Sequence, residues 1–295
     1  MKKLILFNSV GLISLIFLSA CTNIALQPSR QVYQNVENFQ AQKPEQQYIK
    51  SFDGTSLSLV HFQSLVKPKK GVVVQFHGNA ENLSSHFLSQ LWVTQHGYDF
   101  VTFDYRGYGK SEGLAGFPDV NQDAAAVIQY AMDNYSEYDH QIILWGESIG
   151  GMILMNALNI LAEQGQPNFK YKMILEGTFY SLKATSSKVL TRHWLTFPFS
   201  WLGFLLVTDR YAAKKQIRKF TYKPESVLFV QSKQDFVVGF KQGKKLFNKY
   251  QHSNKCKLWY EEKSHINVAG VAKRKYRSMM LNYLNEGCSK LDNAY

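Results

Sequence analysis

Ser148 stands in Gly146-Glu147-Ser148-Ile149-Gly150, where the apolar run Ile142-Ile143-Leu144-Trp145 hands over to a helix-like stretch at 152–158. A serine between glycines at a strand-to-helix turn is a candidate nucleophile. So tight a turn forces backbone angles that a Cβ tolerates poorly, and bulk beside the serine would block a substrate. The hydroxyl is then held over the first N–H groups of a helix, whose dipole favours the negative charge that develops when a serine attacks a carbonyl. The chemistry to expect is acyl transfer.

A serine hydroxyl is a poor nucleophile at neutral pH, so it needs an imidazole to take its proton and a carboxylate to hold that imidazole in the right tautomer. Three histidines follow Ser148: His193, His252 and His265. His265 comes just after the strand-like Leu258-Trp259-Tyr260 and just before the last helical stretch, so it is the preferred general base. Asp235 follows Val227-Leu228-Phe229-Val230 by a few residues and is the preferred carboxylate over Asp209 and Glu176. The oxyanion needs two backbone donors. One is the N–H of Ile149; the other is expected from Asn79 in His77-Gly78-Asn79-Ala80-Glu81-Asn82, with Gly78 letting the backbone turn and His77 fixing the loop rather than acting as base.

Positioning these residues requires a sheet. Alternation at 47–52 and 56–62 around Asp53-Gly54 predicts a hairpin. The β-branched run at 72–76 reads as a strand buried on both faces, and similar runs recur at 100–103, 142–145, 173–175, 227–230 and 258–260. Helical stretches are expected around 83–96, 121–135, 149–162, 239–250 and 268–284. The α/β class follows: a mostly parallel sheet of about eight strands with helices on both faces. Between strands six and seven, at about 177–224, the alternation breaks for an aromatic-rich insertion that includes residues 194–207. It reads as a helical lid, its apolar content serving the core, an acyl-binding wall or a membrane contact.

The set His77–Ala80 (His-Gly-Asn-Ala), Asp104–Ser111 (Asp-Tyr-Arg-Gly-Tyr-Gly-Lys-Ser), Gly146–Gly151, Asp235 and His265 resembles the α/β-hydrolase superfamily. More narrowly it is similar to the membrane-associated abhydrolase-domain group of depalmitoylases and lysophospholipid hydrolases. The resemblance covers about residues 47–287 and implies a serine hydrolase without metal or cofactor, acting on an ester, thioester or amide. The chain order Ser148, Asp235, His265 is that of the superfamily. Glu176-Gly177-Thr178-Phe179 leads into a lid of its own sequence, so the group's substrate range does not carry over. A peptidase or amidase of this fold, or a non-catalytic envelope lipoprotein using it for binding, are the rival readings.

With 45% hydrophobic and 19% charged residues in 295, the chain is a folded globule rather than a disordered or coiled-coil one. Its net charge of +12 is dispersed in small clusters, at Lys67, Lys69 and Lys70, at Lys214, Lys215, Arg218 and Lys219, and at Lys273–Arg277. No nucleic-acid recognition motif accompanies them, so a solvated face or an anionic membrane surface is the expectation. Lys2-Lys3 and the mostly apolar 4–18 form a secretory signal closing on Leu18-Ser19-Ala20-Cys21, which resembles the bacterial lipobox. Residues 1–20 are thus expected to be a signal peptide, with Cys21 lipidated. Residues 21–46 read as a polar tether, 47–287 as the domain, and 288–295 as a tail. By resemblance to Gram-negative sorting patterns, Thr22 in place of Asp points to the outer membrane. The oligomeric state is not legible. In an oxidising compartment Cys256, opening the last strand, and Cys288, closing the last helix, return to one end of the sheet and are expected to pair.

Overall fold

The computed structural model describes residues 22, 23, 25–135, 141–166, 169–191, 194–219, 223–271 and 273–291. The expected signal segment, Cys21 and His193 lie outside the described residues. Eight strands form one sheet: β1 (Glu45–Lys50), β2 (Ser56–Phe62), β3 (Gly71–Phe76), β4 (Tyr98–Phe103), β5 (Gln141–Glu147), β6 (Tyr171–Glu176), β7 (Ser226–Ser232) and β8 (Lys255–Tyr260). Their order is β1-β2-β4-β3-β5-β6-β7-β8. β1 pairs antiparallel with β2 and β2 with β4, and all other pairings are parallel.

Strand periodicity divides the core. In β3, Val72, Val74 and Phe76 face one cluster and Val73 the other; in β5, Ile142 and Leu144 oppose Ile143 and Trp145 in the same way. The first cluster is covered by α2 (Asp119–Tyr135), α3 (Ile149–Glu163) and α7 (Phe240–Lys249), the second by α1 (Leu83–His86), the short turns after it and α9 (Lys273–Glu286). Burying both faces explains why the parallel strands read as continuous apolar runs. Between β6 and β7 lie α4 (Leu182–Leu190), α5 (Leu202–Leu206) and α6 (Ala213–Gln216); α8 (Val268–Val271) precedes α9.

Three expectations need correction. The helix expected over 83–96 is one α-turn followed by 3-10 segments, Phe87–Ser89 and Leu91–His96. The His86 carbonyl, which an α-helix would give to the fourth residue on, accepts instead from Gln75 Nε2 and Ser89 Oγ. The helix expected over 268–284 is matched by α8 and α9, which flank residue 272, itself outside the described residues.

The described residues from 22 to 42 are no loose tether. Thr22 and Leu26 are buried, and Asn82 Nδ2 donates to the carbonyls of Ser29 and Gln31, while Gly109 N–H donates to Ser29 O. A polar, amide-rich composition gave no hydrophobic period, yet backbone carbonyls of the segment are satisfied by side-chain and backbone donors from distant loops.

The expected tail also belongs to the domain, because Cys288 and Leu291 are buried. Cys256 and Cys288 form a disulfide, with Cα atoms 5.5 Å apart.

Candidate active site

Ser148, Asp235, His265 and Asn79 follow the C-terminal ends of β5, β7, β8 and β3. β3 and β5 are neighbours at the point where chain order reverses, which is where open parallel sheets form their ligand crevice. Ser148 has φ 54 and ψ −117, a conformation unusual for a residue with a side chain, and α3 starts immediately after it. Its N–H donates to Glu176 O at 2.7 Å, which fixes the turn from β6. A Cβ at Gly150 would lie 2.0 Å from Phe76 O, so only glycine lets α3 pack this closely against the end of β3.

His265 Nε2 lies 2.8 Å from Ser148 Oγ, and His265 Nδ1 lies 2.8 Å from Asp235 Oδ2. An ionised carboxylate can only accept, so Nδ1 carries the hydrogen and Nε2 is left to accept the serine proton. Asp235 is buried; that burial opposes its charge, but the bonds from His265 and from the N–H groups of Val238 and Val237 outweigh it and hold its pKa below the ordinary value. Gln231 Nε2 donates to the same carboxylate. Gly177, at φ +61, faces the His265 ring: a Cβ there would lie 3.0 Å from Cε1 and 2.7 Å from the His265 carbonyl. The sequence segment that departs from the superfamily pattern thus makes room for the base.

Asn79 and Ile149 line one cavity with Ser148, of about 350 Å³. Ile149 is the first residue of α3, so its N–H has no acceptor within the helix. The loop carrying Asn79 turns at Ala80 and Glu81, with φ 60 and 56, not at Gly78, whose φ is not positive. Proximity explains that glycine better, since a Cβ there would meet His86 Cε1 at 3.3 Å. His77 is fully buried beneath the loop, bonds the Gly78 carbonyl through Nδ1 at 2.8 Å and packs on His86, Tyr105 and Tyr108. Burial, then the charge on His86, pushes its pKa down to about 3. It is therefore neutral and apart from the triad. The Asp104–Ser111 motif buttresses the same loop: Tyr105 OH donates to His77 O, Tyr108 OH to Asn79 Oδ1, and Asp104 accepts from Leu83 N–H. Asp209 pairs with Lys214 and Ser181 in the insertion, and His252 sits beyond α7 before β8, away from Ser148.

Two features of the site have no signal in the sequence. The first is the N-terminal segment: Ala25 and Gln27 line the Ser148 cavity, and both bond the Asn79 side chain. The second is a pair of carboxylates under the nucleophile. Glu147 and Glu176 are partners in the β5–β6 register, both buried, and both on the face of the sheet away from α3. Glu147 accepts from Gln75 Nε2 and Ser89 Oγ, each at 3.0 Å. Glu176 accepts from Trp145 Nε1 at 3.0 Å and from the Val268 N–H at 2.7 Å. Burial, followed by the charge of Glu147, pushes Glu176 up to about 8. Glu176 therefore holds the nucleophile's turn through its carbonyl and the loop after His265 through its carboxyl.

A serine at a strained strand-to-helix turn, hydrogen-bonded in series to a histidine and an aspartate past later strands of a mostly parallel eight-stranded sheet, is the arrangement of an α/β-hydrolase-fold serine hydrolase. Residues 67–227 match the family model described as serine aminopeptidase, S33 (Hydrolase_4), and the chain belongs to that family.

Among known proteins it is similar to the uncharacterized protein YfhR of Salmonella typhi, 27% identical over 233 residues, covering 76% of this chain and 75% of that one. It is also similar to the lysophosphatidylserine lipase ABHD12 of Danio rerio, 28% identical over 184 residues, which covers 60% of this chain but 46% of the lipase. The Pyrococcus furiosus esterase Pf2001 shares its fold, with a TM-score of 0.68 at 18% identity over 88% of this chain and 96% of that one. So does the Exiguobacterium antarcticum esterase, with a TM-score of 0.57 at 19% identity over 81% and 99%.

Proposed function

We propose that this protein is an acyl-ester or thioester hydrolase working through Ser148, His265 and Asp235. The observation that carries this reading is the Asp235–His265–Ser148 hydrogen-bond chain opening into an apolar cavity. Phe179, Leu182, Val189, Leu190, Leu206 and Val238 are among its walls, and among the described residues no charged side chain lines it. An acyl chain gains roughly 0.8 kcal/mol per methylene buried in such a cavity. Ser148 Oγ attacks the carbonyl carbon while its proton passes to His265 Nε2, and Asp235 steadies the imidazolium. The N–H groups of Asn79 and Ile149 take the oxyanion. Collapse releases the leaving group with the proton from His265; water, deprotonated by the same imidazole, then frees the acid and restores Ser148.

The family's description favours a second reading, an aminopeptidase or amidase. An aminopeptidase must hold a free α-ammonium group, and the cavity lining offers it no carboxylate. A panel of p-nitrophenyl esters of rising chain length, beside an aminoacyl anilide, tests the two. Turnover of the anilide alone would overturn the ester reading, and failure of a fluorophosphonate probe to label Ser148 would overturn both.

The same proposal places the enzyme in the bacterial envelope, held at the outer membrane by a lipid on Cys21. Its support is the apolar 4–18 ahead of Leu18-Ser19-Ala20-Cys21. Cys21→Ser is expected to lose incorporation of a palmitate analogue; label persisting on that variant would sink the assignment.

A further inference from the structure

The insertion between β6 and β7 turns two unlike surfaces outward. Phe197, Phe199, Trp201, Phe204 and Leu205 are each more than half exposed. Their neighbours Leu202, Gly203 and Leu206 line the Ser148 cavity instead. α5 is therefore apolar toward the cavity and apolar toward the outside, with no face suited to water. Just beyond it a second cavity, of about 910 Å³, is lined by Lys183, Arg210, Lys214, Lys215, Arg218 and Lys219 against the carboxylates Glu163 and Asp209. Lys214 is paired with Asp209, and Lys219 lies 3.5 Å from Glu163. Among the described residues no carboxylate pairs with Lys183, Lys215 or Arg218, so the cavity has a positive excess.

The path of the chain says what covers these surfaces. Thr22 is buried, and its Oγ1 accepts the Thr208 N–H at 3.2 Å; Thr208 is itself a wall of the basic cavity, two residues beyond α5. The apolar stretch 4–18 and Cys21 lie just ahead of Thr22 in the sequence. The end of the chain directed at a bilayer thus joins the fold between the apolar crest and the cationic cavity. From this juxtaposition we infer that the insertion is a docking surface for an anionic lipid bilayer. Phosphate headgroups occupy the basic cavity, and the Phe197–Leu205 crest enters the acyl boundary. A lipid on the chain end tethers the domain without fixing its orientation, whereas a basic and apolar second contact fixes which face meets the bilayer. Leu206 and Val207 line the Ser148 cavity while Thr208 lines the basic one, so the docked face adjoins the place where an acyl chain is held.

The inference rests on the proposed attachment of the N-terminus to a bilayer, which the palmitate label tests separately. Its own test uses the full chain reconstituted in phosphatidylcholine vesicles, with and without phosphatidylglycerol, whose acyl chains carry bromine. Bromine should quench the emission of Trp201 in the anionic vesicles, and Trp201→Phe, which keeps the apolar bulk, should remove that quenched component. Lys215→Glu with Arg218→Glu should bring quenching down to its level in phosphatidylcholine alone, each basic residue being worth roughly fivefold in membrane partition. An unchanged unfolding midpoint shows that the variants are folded, and no readout needs turnover, so failure of the ester reading is distinguishable. Absence of quenching in the wild type, quenching unchanged in Trp201→Phe, or quenching indifferent to phosphatidylglycerol would each overturn the inference. So would a lipid-free dimer that shields Trp201 from acrylamide, which would assign the face to a second copy of the chain.

Discussion

Gln27 donates its backbone N–H to Asn79 Oδ1 at 2.9 Å, and the same amide donates through Nδ2 to Ala25 O at 2.7 Å. The N-terminal segment therefore holds the residue whose N–H is proposed to take the oxyanion. An oxyanion donor works only when fixed before the charge develops. Asn79→Ala keeps the backbone N–H but frees it from this clamp. The expected result is a loss of kcat on the order of tenfold with KM little changed, since about an ångström of misplacement costs up to a hundredfold. Steady-state kinetics on a responsive ester checks it; an unaltered kcat would mean that the clamp is packing alone.

Ser148→Ala and His265→Ala should each remove essentially all turnover, and the double variant should be no worse than either, because triad members act as a unit. Asp235→Asn should lose about 10⁴ in kcat by favouring the wrong imidazole tautomer. His77→Ala should lose much less, because its ring lies under the loop and not against Ser148. Equal losses from His77 and His265 would contradict the hydrogen-bond chain.

The buried pair under the nucleophile makes stability depend on pH. Glu176 keeps its proton in the native state up to about 8, whereas in the unfolded chain it ionises near 4.5. Between those values the unfolded state has released a proton that the native state retains. The stabilisation is therefore complete below about 4.5 and lost as pH rises toward 8. Glu176→Gln should flatten that decline. It should also cost roughly 1–3 kcal/mol at every pH, because one amide oxygen cannot accept from both Val268 N–H and Trp145 Nε1. Urea unfolding across the window reads both effects, and a variant whose stability falls as steeply as the wild type's would place the titration elsewhere.

The Cys256–Cys288 disulfide closes a segment of sequence separation 32 and ties the chain after α9 to β8. Closing a loop of that length restricts the unfolded chain by about 3–4 kcal/mol. Reduction, or Cys256→Ala with Cys288→Ala, should lower the urea midpoint accordingly with little effect on kcat, as neither sulfur approaches Ser148. Two free thiols in the oxidised, denatured chain would show that the bridge does not form.

What was legible in the sequence is what local chemistry dictates. The β-branched runs at 72–76 and 142–145 name strands because both faces of a parallel sheet are buried, and the glycines around Ser148 name a turn because close backbone approach admits no Cβ. Asp235 and His265 were reachable for the same reason: each follows a strand by a few residues, and strand ends in such a sheet converge on one edge. Composition carried no comparable signal for residues 22–42, since a segment held by hydrogen bonds to Asn79, Asn82 and Gly109 needs no hydrophobic period. Nor could spacing reveal that Glu147 and Glu176, 29 positions apart, meet side by side. Only the β5–β6 register puts two carboxylates opposite each other, and only burial on the same face makes one of them keep its proton. The sequence by itself determined which groups are candidates for the chemistry; the tertiary structure decided what holds them, because those contacts are between residues that only the fold makes neighbours.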